Sequence, residues 1–266
     1  MEIQWSLVLF TVLTGAGGWM LACIAANELT NKPKAIDKKA VVVAAILACI
    51  GGVASVTHLS HPENLLAALG HPTSGIFTEA VLTGLMAASA IVYFVLVVKK
   101  SPAAARKVFA LLGALFGVLL SFMAGASYMM SSQLTWNTVF LPIGYACTAM
   151  PLGIAVYITL ALALKEKEIN FQAKALVVGG LLAAIASLAY GLVSGTISSQ
   201  APLLVGACAL VGGVLPAACG VIIIKKPEMA FAASVIATIG ALVGTIAYRC
   251  TMWLVADLVN NFFGML

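Results

Sequence analysis

Residues 55–80 read SVTHLSHPENLLAALGHPTSGIFTEA and hold all three histidines of the chain, His58, His61 and His71, with two of its nine acidic residues, Glu63 and Glu79. An imidazole with a pKa near about 6.5 can take a proton at neutral pH, and a carboxylate beside it can accept or relay another. Far along the chain, GTIAYRCTMWL carries Arg249, and Tyr128 and Trp136 stand near the middle. These residue types in one place could move protons at a hydroxyl-bearing substrate. They offer little else. The six cysteines, Cys23, Cys49, Cys147, Cys208, Cys219 and Cys250, form no CxxC pair and no zinc or iron–sulfur spacing. A bis-histidine haem needs two histidines at matching depth on separate helices, and only His58 falls at the end of an apolar run.

The elements that must hold these groups are membrane spans. Of 266 residues 62% are hydrophobic and 9% charged, against roughly half and a quarter in an ordinary soluble domain. A spanning helix needs about 20 apolar residues. Segments 4–26, 40–58, 76–98, 108–128, 138–164, 175–196, 202–224 and 229–258 meet that need. The first has no basic flank and no small-residue cleavage site after it, and reads as a retained span. The runs are too long for barrel strands, so the expected fold is an all-α polytopic membrane protein with eight transmembrane helices. Recurrent small residues, as in GAGG (15–18) and GACALVGG (206–213), favour close helix packing.

Thirteen of the fourteen basic residues lie in alternate loops: Lys32, Lys34, Lys38 and Lys39; Lys99, Lys100, Arg106 and Lys107; Lys165, Lys167 and Lys174; Lys225 and Lys226. The positive-inside rule makes these loops cytoplasmic and places both termini, with the histidine loop, outside. The formal charge of +5 comes from these anchors and indicates no nucleic-acid partner. His58, Glu79 and Arg249 then share the outer half of the membrane with Tyr128 and Trp136. The inner half of the bundle reads as nearly bare.

Each of these residues also has a purely structural reading. Glu79 stands in the first turn of span 3, where a carboxylate suits the positive helix end. Arg249 could snorkel or bond backbone carbonyls. Tyr128 and Trp136 could belong to an interfacial aromatic belt. A proton or ion path would require polar groups through the full membrane thickness. A site open to one side does not. A quinol fits the latter pattern: its ring and tail are apolar, its two hydroxyls need hydrogen-bond partners, and its oxidation releases two protons and two electrons. The protein has no electron acceptor of its own, so a redox partner must dock over the site.

Four motifs extend this reading. THLSHP (57–62), Ser74 and Glu79 in SGIFTEA, Trp136 and Pro142 in TWNTVFLPIGY, and Gly244 with Arg249 in GTIAYRCTMW occur in order on spans 2, 3, 5 and 8. Together they resemble the membrane anchor subunits of dimethyl sulfoxide reductase and its relatives, over nearly the whole chain. Ser60 stands where the family pattern has glycine. The resemblance implies a single integral-membrane anchor domain over 1–266, divisible into two packed four-helix bundles at about 130. It implies menaquinol as bound substrate and no haem or metal in this protein. It also implies a four-cluster iron–sulfur subunit and a molybdopterin catalytic subunit on the outer face of a bacterial cytoplasmic membrane, in anaerobic respiration. Carried over residue by residue, His58 would bind the quinol and take a proton, Glu79 would accept or relay one, and Arg249 would orient the site or hold the carboxylate charged. Ser74, Tyr128 and Trp136 would line it. Related membrane subunits of polysulfide- or nitrite-reductase type, a small-metabolite transporter and a purely structural anchor are the competing readings.

Overall fold

The computed structural model describes residues 2–57, 70–195 and 201–256. His58, His61, Glu63 and Asp257 lie outside the described residues. The helices, in chain order, are α1 (Trp5–Leu29), α2 (Asp37–Val56), α3 (Gly75–Val98), α4 (Ala103–Ala126), α5 (Phe140–Ala163), α6 (Asn170–Gly195), α7 (Ala201–Ala209), α8 (Leu215–Lys225) and α9 (Ala230–Leu254). A π-helical turn, Leu210–Val214, joins α7 to α8 into one span, and a 3₁₀ turn, Pro227–Met229, leads into α9. Among the described residues, eight stretches are long and apolar enough to cross a membrane. This is the all-α, eight-span architecture expected from the apolar runs.

Local chemistry sets the helix ends. At the lysine-bearing end, α1, α3 and α5 each stop with a residue of positive φ: Asn31 (57°), Lys100 (53°) and Lys165 (64°). Each is followed by paired bonds back into the last turn, as in Asn31 N–H to the Glu28 carbonyl and Lys32 N–H to the Asn27 carbonyl. This Schellman pattern satisfies the last carbonyls and reverses the chain within a few residues. The π turn has a cause in Pro216. Proline lacks the N–H that would bond residue 212 and its ring crowds that carbonyl, so a widened turn just before it relieves the clash.

In packing, α1 lies against α2, α4 and α5, and α5 against α1, α4, α6 and α9. Close approach rests on glycine. A Cβ built on Gly18 of α1 would stand 2.6 Å from the carbonyl carbon of Gly117 on α4, and one on Gly244 of α9 would stand 2.1 Å from the Cα of Gly212. Dispersion and backbone proximity, not water exclusion, hold helices together in lipid, which is why these contacts need the smallest residue. The buried apolar residues separate by depth. One cluster, with Met20, Ile24, Tyr93 and Tyr157, lies toward the lysine-bearing end, and another, with Trp136, Tyr145, Tyr248 and Trp253, lies toward the opposite end.

The half of the bundle toward the lysines is not bare, and this corrects the reading from span limits. Glu28 is buried and pairs with Arg106 at 3.0 Å, and the Tyr93 hydroxyl donates to it at 3.1 Å. Beside them Asn27 donates to Asp37 Oδ1 (2.9 Å), the Tyr157 hydroxyl donates to the same oxygen (2.7 Å), and Gln172 donates to Asn27 Oδ1 (2.7 Å). The Lys34 backbone N–H completes the ring on Asp37 Oδ2 at 2.8 Å. Apolar run lengths left Asn27, Glu28 and Asp37 in a loop, 27–39. Instead α1 continues to Leu29 and α2 begins at Asp37, because paired polar groups can be carried into the helix ends.

Candidate functional site

At the end of the bundle opposite the lysines, α1, α2 and α3 enclose a cavity of about 370 Å³ with the turn after α4. Leu7 and Phe10 of α1 and Val56 of α2 form apolar wall, and Ser55, Ser74, Glu79, Thr83, Ser127 and Tyr128 carry its polar side chains. Ser74 is there because it caps α3. Its backbone is extended (φ −82°, ψ 148°) and its hydroxyl accepts the Phe77 N–H at 3.1 Å, satisfying one orphan donor of the first turn. Five residues on, Glu79 lies one turn inside the helix and faces the cavity. Its Oε1 accepts a hydrogen bond from the Ser127 hydroxyl at 2.5 Å. The Thr83 hydroxyl turns back to the Glu79 backbone carbonyl at 2.7 Å. No lysine or arginine appears among the described lining residues.

Tyr128 connects this cavity to an aromatic cluster behind it. Its ring meets Trp136 edge-on at 6.0 Å, Trp253 edge-on at 5.8 Å and Tyr145 at 6.1 Å. Trp136 and Trp253 pack edge-to-face at 5.2 Å, and the Trp136 indole N–H donates to the Met252 carbonyl at 2.8 Å. Trp136 is therefore buried support for Tyr128 and does not reach the cavity wall.

Arg249 lies deeper and is fully buried. Its Nε donates to the Thr11 hydroxyl (2.9 Å), Nη1 to the Thr148 hydroxyl (2.9 Å) and the Thr245 carbonyl (3.2 Å), and Nη2 to the Tyr145 carbonyl (3.2 Å). The guanidinium also lies 4.5 Å over the Tyr145 ring. Neutral acceptors and a ring face thus compensate a buried charge, and α1, α5 and α9 are tied together at one point. Arg249 neither lines the cavity nor bonds Glu79.

The structure so brings together Ser74, Glu79 and Tyr128, and sets Trp136 and Arg249 behind them. His58 is outside the described residues; Val56, two positions earlier in the sequence, lines the cavity. Sequence reasoning passed over Ser127 and Thr83. The signal for Ser127 was its place beside Tyr128 at a span end.

The family model for the DMSO reductase anchor subunit (DmsC) matches residues 1–253. The protein belongs to this family. A DmsC-family protein whose described residues include eight stretches long and apolar enough to cross a membrane is an integral-membrane anchor. Among curated proteins, the C subunit of the anaerobic dimethyl sulfoxide reductase of Haemophilus influenzae is 25% identical over 171 residues. The match covers 62% of this protein and 61% of that relative's length. The matched region of the DmsC model includes every residue of the cavity and, up to Trp253, the aromatic cluster behind it.

Proposed function

We propose that this anchor oxidises a quinol, menaquinol by the family resemblance, in the Glu79 cavity. The electrons pass to an iron–sulfur subunit held over the same end of the bundle, which feeds a molybdopterin catalytic subunit. The observation that carries the proposal is the cavity itself: a carboxyl group and hydroxyls at the membrane boundary, walled by apolar side chains, with no lysine or arginine among the described lining residues. One quinol hydroxyl donates to Glu79, which is oriented by Ser127, and loses its proton there as the electrons leave. Tyr128 and Ser74 offer hydroxyls to the ring oxygens, and His58 is the second proton acceptor. Each turnover releases two protons and two electrons. By the positive-inside rule the cavity end faces outward from a bacterial cytoplasmic membrane, together with both termini and the partner subunits.

The test is turnover of the assembled complex. Glu79→Gln keeps the shape and the Ser127 contact but removes the proton acceptor. General acid–base groups contribute roughly 10²–10⁴-fold, so quinol-dependent turnover should fall at least about 100-fold while the partner subunits stay membrane-bound and reducible by an artificial donor. Unchanged quinol turnover would reduce the protein to a purely structural anchor.

A further inference from the structure

Along the seam between α2 and α3 a furrow runs from the lysine-bearing end to the Glu79 cavity. Its first stretch is bordered by Lys38, Lys39, Val42 and Phe94, with Leu160 and Leu164 at the end of α5 beside them. Val42 and Phe94 continue into a second, which reaches Cys49, and Cys49 opens a third, walled by Val53, Gly84 and Ala87. The third shares Gly52, Val56 and Thr83 with the cavity. From Val56 back to Val42 the helix rises about 21 Å. The second stretch is wholly apolar at its surface, and so is the third apart from a trace.

Two glycines at its upper end lack the usual reason. Glycine inside a helix costs about 1 kcal/mol relative to alanine. At Gly18 and Gly117 a neighbouring backbone demands it. A Cβ on Gly84, by contrast, would meet nothing within 4 Å, and one on Gly52 only the Thr83 methyl at 4.0 Å. Nothing among the described residues requires the space that they leave, and it lies where the furrow enters the cavity.

Resting on the quinol reading above, we propose that the α2–α3 furrow is the tail subsite of the same site: the ring sits by Glu79 and the polyprenyl tail lies past Gly84 and Cys49 toward Val42 and Phe94. The occupant is argued from continuity. A molecule in the furrow must end either in the cavity or at the lysines. The described lining of the cavity end offers a carboxyl and hydroxyls and no lysine or arginine, which suits a neutral dihydroxy ring and disfavours a phosphate. A phospholipid held by Lys38 and Lys39 is the competing occupant.

The experiment uses the full complex in vesicles, with a long-tailed menaquinol and a tailless ring analogue as alternative donors. Gly84→Phe and Ala87→Phe fill the furrow without touching the cavity. Each should raise KM for the long-tailed quinol about tenfold or more with kcat kept, the signature of lost uniform binding, and change neither parameter for the tailless donor by more than about twofold. Equal effects on the two donors, or none on either, overturn the tail subsite. Glu79→Gln run alongside separates the two ideas: lost turnover with both donors keeps the quinol reading standing in that event, and intact turnover removes both. In the unmutated complex, a quinone bearing a diazirine at its tail end should label residues within 41–56 or 80–95, displaced by excess menaquinol. Labelling of these residues by a diazirine phospholipid that menaquinol does not displace assigns the furrow to lipid and overturns the proposal.

Discussion

Glu79 and Arg249 are both ionisable groups inside apolar spans, and their surroundings are opposite. Glu79 faces a cavity and has a serine hydroxyl on its carboxyl group. Arg249 is fully buried, with four neutral acceptors and a tyrosine face around it. One arrangement leaves room for a substrate, and the other fills every direction. Arg249→Ala should therefore act on stability. It leaves a void and removes four hydrogen bonds, to the Thr11 and Thr148 hydroxyls and to two carbonyls, losses that together come to about 3 kcal/mol or more. In detergent the variant should melt well below the parent, whereas Glu79→Gln should melt within a degree or two of it; parent-like melting of Arg249→Ala would show that the buried guanidinium does not hold the bundle together. Both residues were legible in the sequence as exceptions to an apolar run, and Ser74 through the motif it shares with Glu79 at a span start. Which way each side chain points was not, since rotation about the helix axis is decided by neighbouring helices that lie far away in sequence.

At the scale of elements, the number and order of the spans follow from run length alone, but their ends do not. Hydropathy stops counting at a charge, while α1 runs through Asn27 and Glu28 to Leu29 and α6 begins at Asn170, five residues before the apolar run at 175. The polar groups at these ends find one another instead of water, a pairing no single segment reveals. Glycine shows the same limit: the sequence marks Gly18 and Gly84 alike as small residues in a span, and only the packing separates them. Gly18→Val places its Cβ against the Gly117 backbone and should push α1 from α4, lowering the yield of folded protein severely. Gly84→Ala meets open space and should be neutral or slightly stabilising, by about 1 kcal/mol at most. Size-exclusion profiles of the two variants expressed side by side check this; a monodisperse Gly18→Val peak at parental yield would show that the α1–α4 contact tolerates separation.

The whole molecule separates its polar groups into two ends. Asn27, Asp37, Tyr157 and Gln172 bond one another and Lys34 at the lysine-bearing end, and the Glu79 cavity lies at the other. Between them the hydroxyls of Thr14, Ser89 and Ser121 are turned back onto Phe10, Leu85 and Gly117, carbonyls of their own helices. A proton crossing from one end to the other would need donors and acceptors in sequence, and these three offer it no next partner. If quinol is oxidised at Glu79, its protons and electrons leave by the same end, and turnover moves no net charge across the bilayer. Vesicles carrying the oriented complex and a potential-sensitive dye should therefore show quinol consumption with no membrane potential beyond that of the Glu79→Gln control, while external pH responds to the released protons. A potential that builds in proportion to turnover would mean that charge does cross. The middle layer of the bundle would then have to contain a path that hydroxyls bonded to their own helices do not provide.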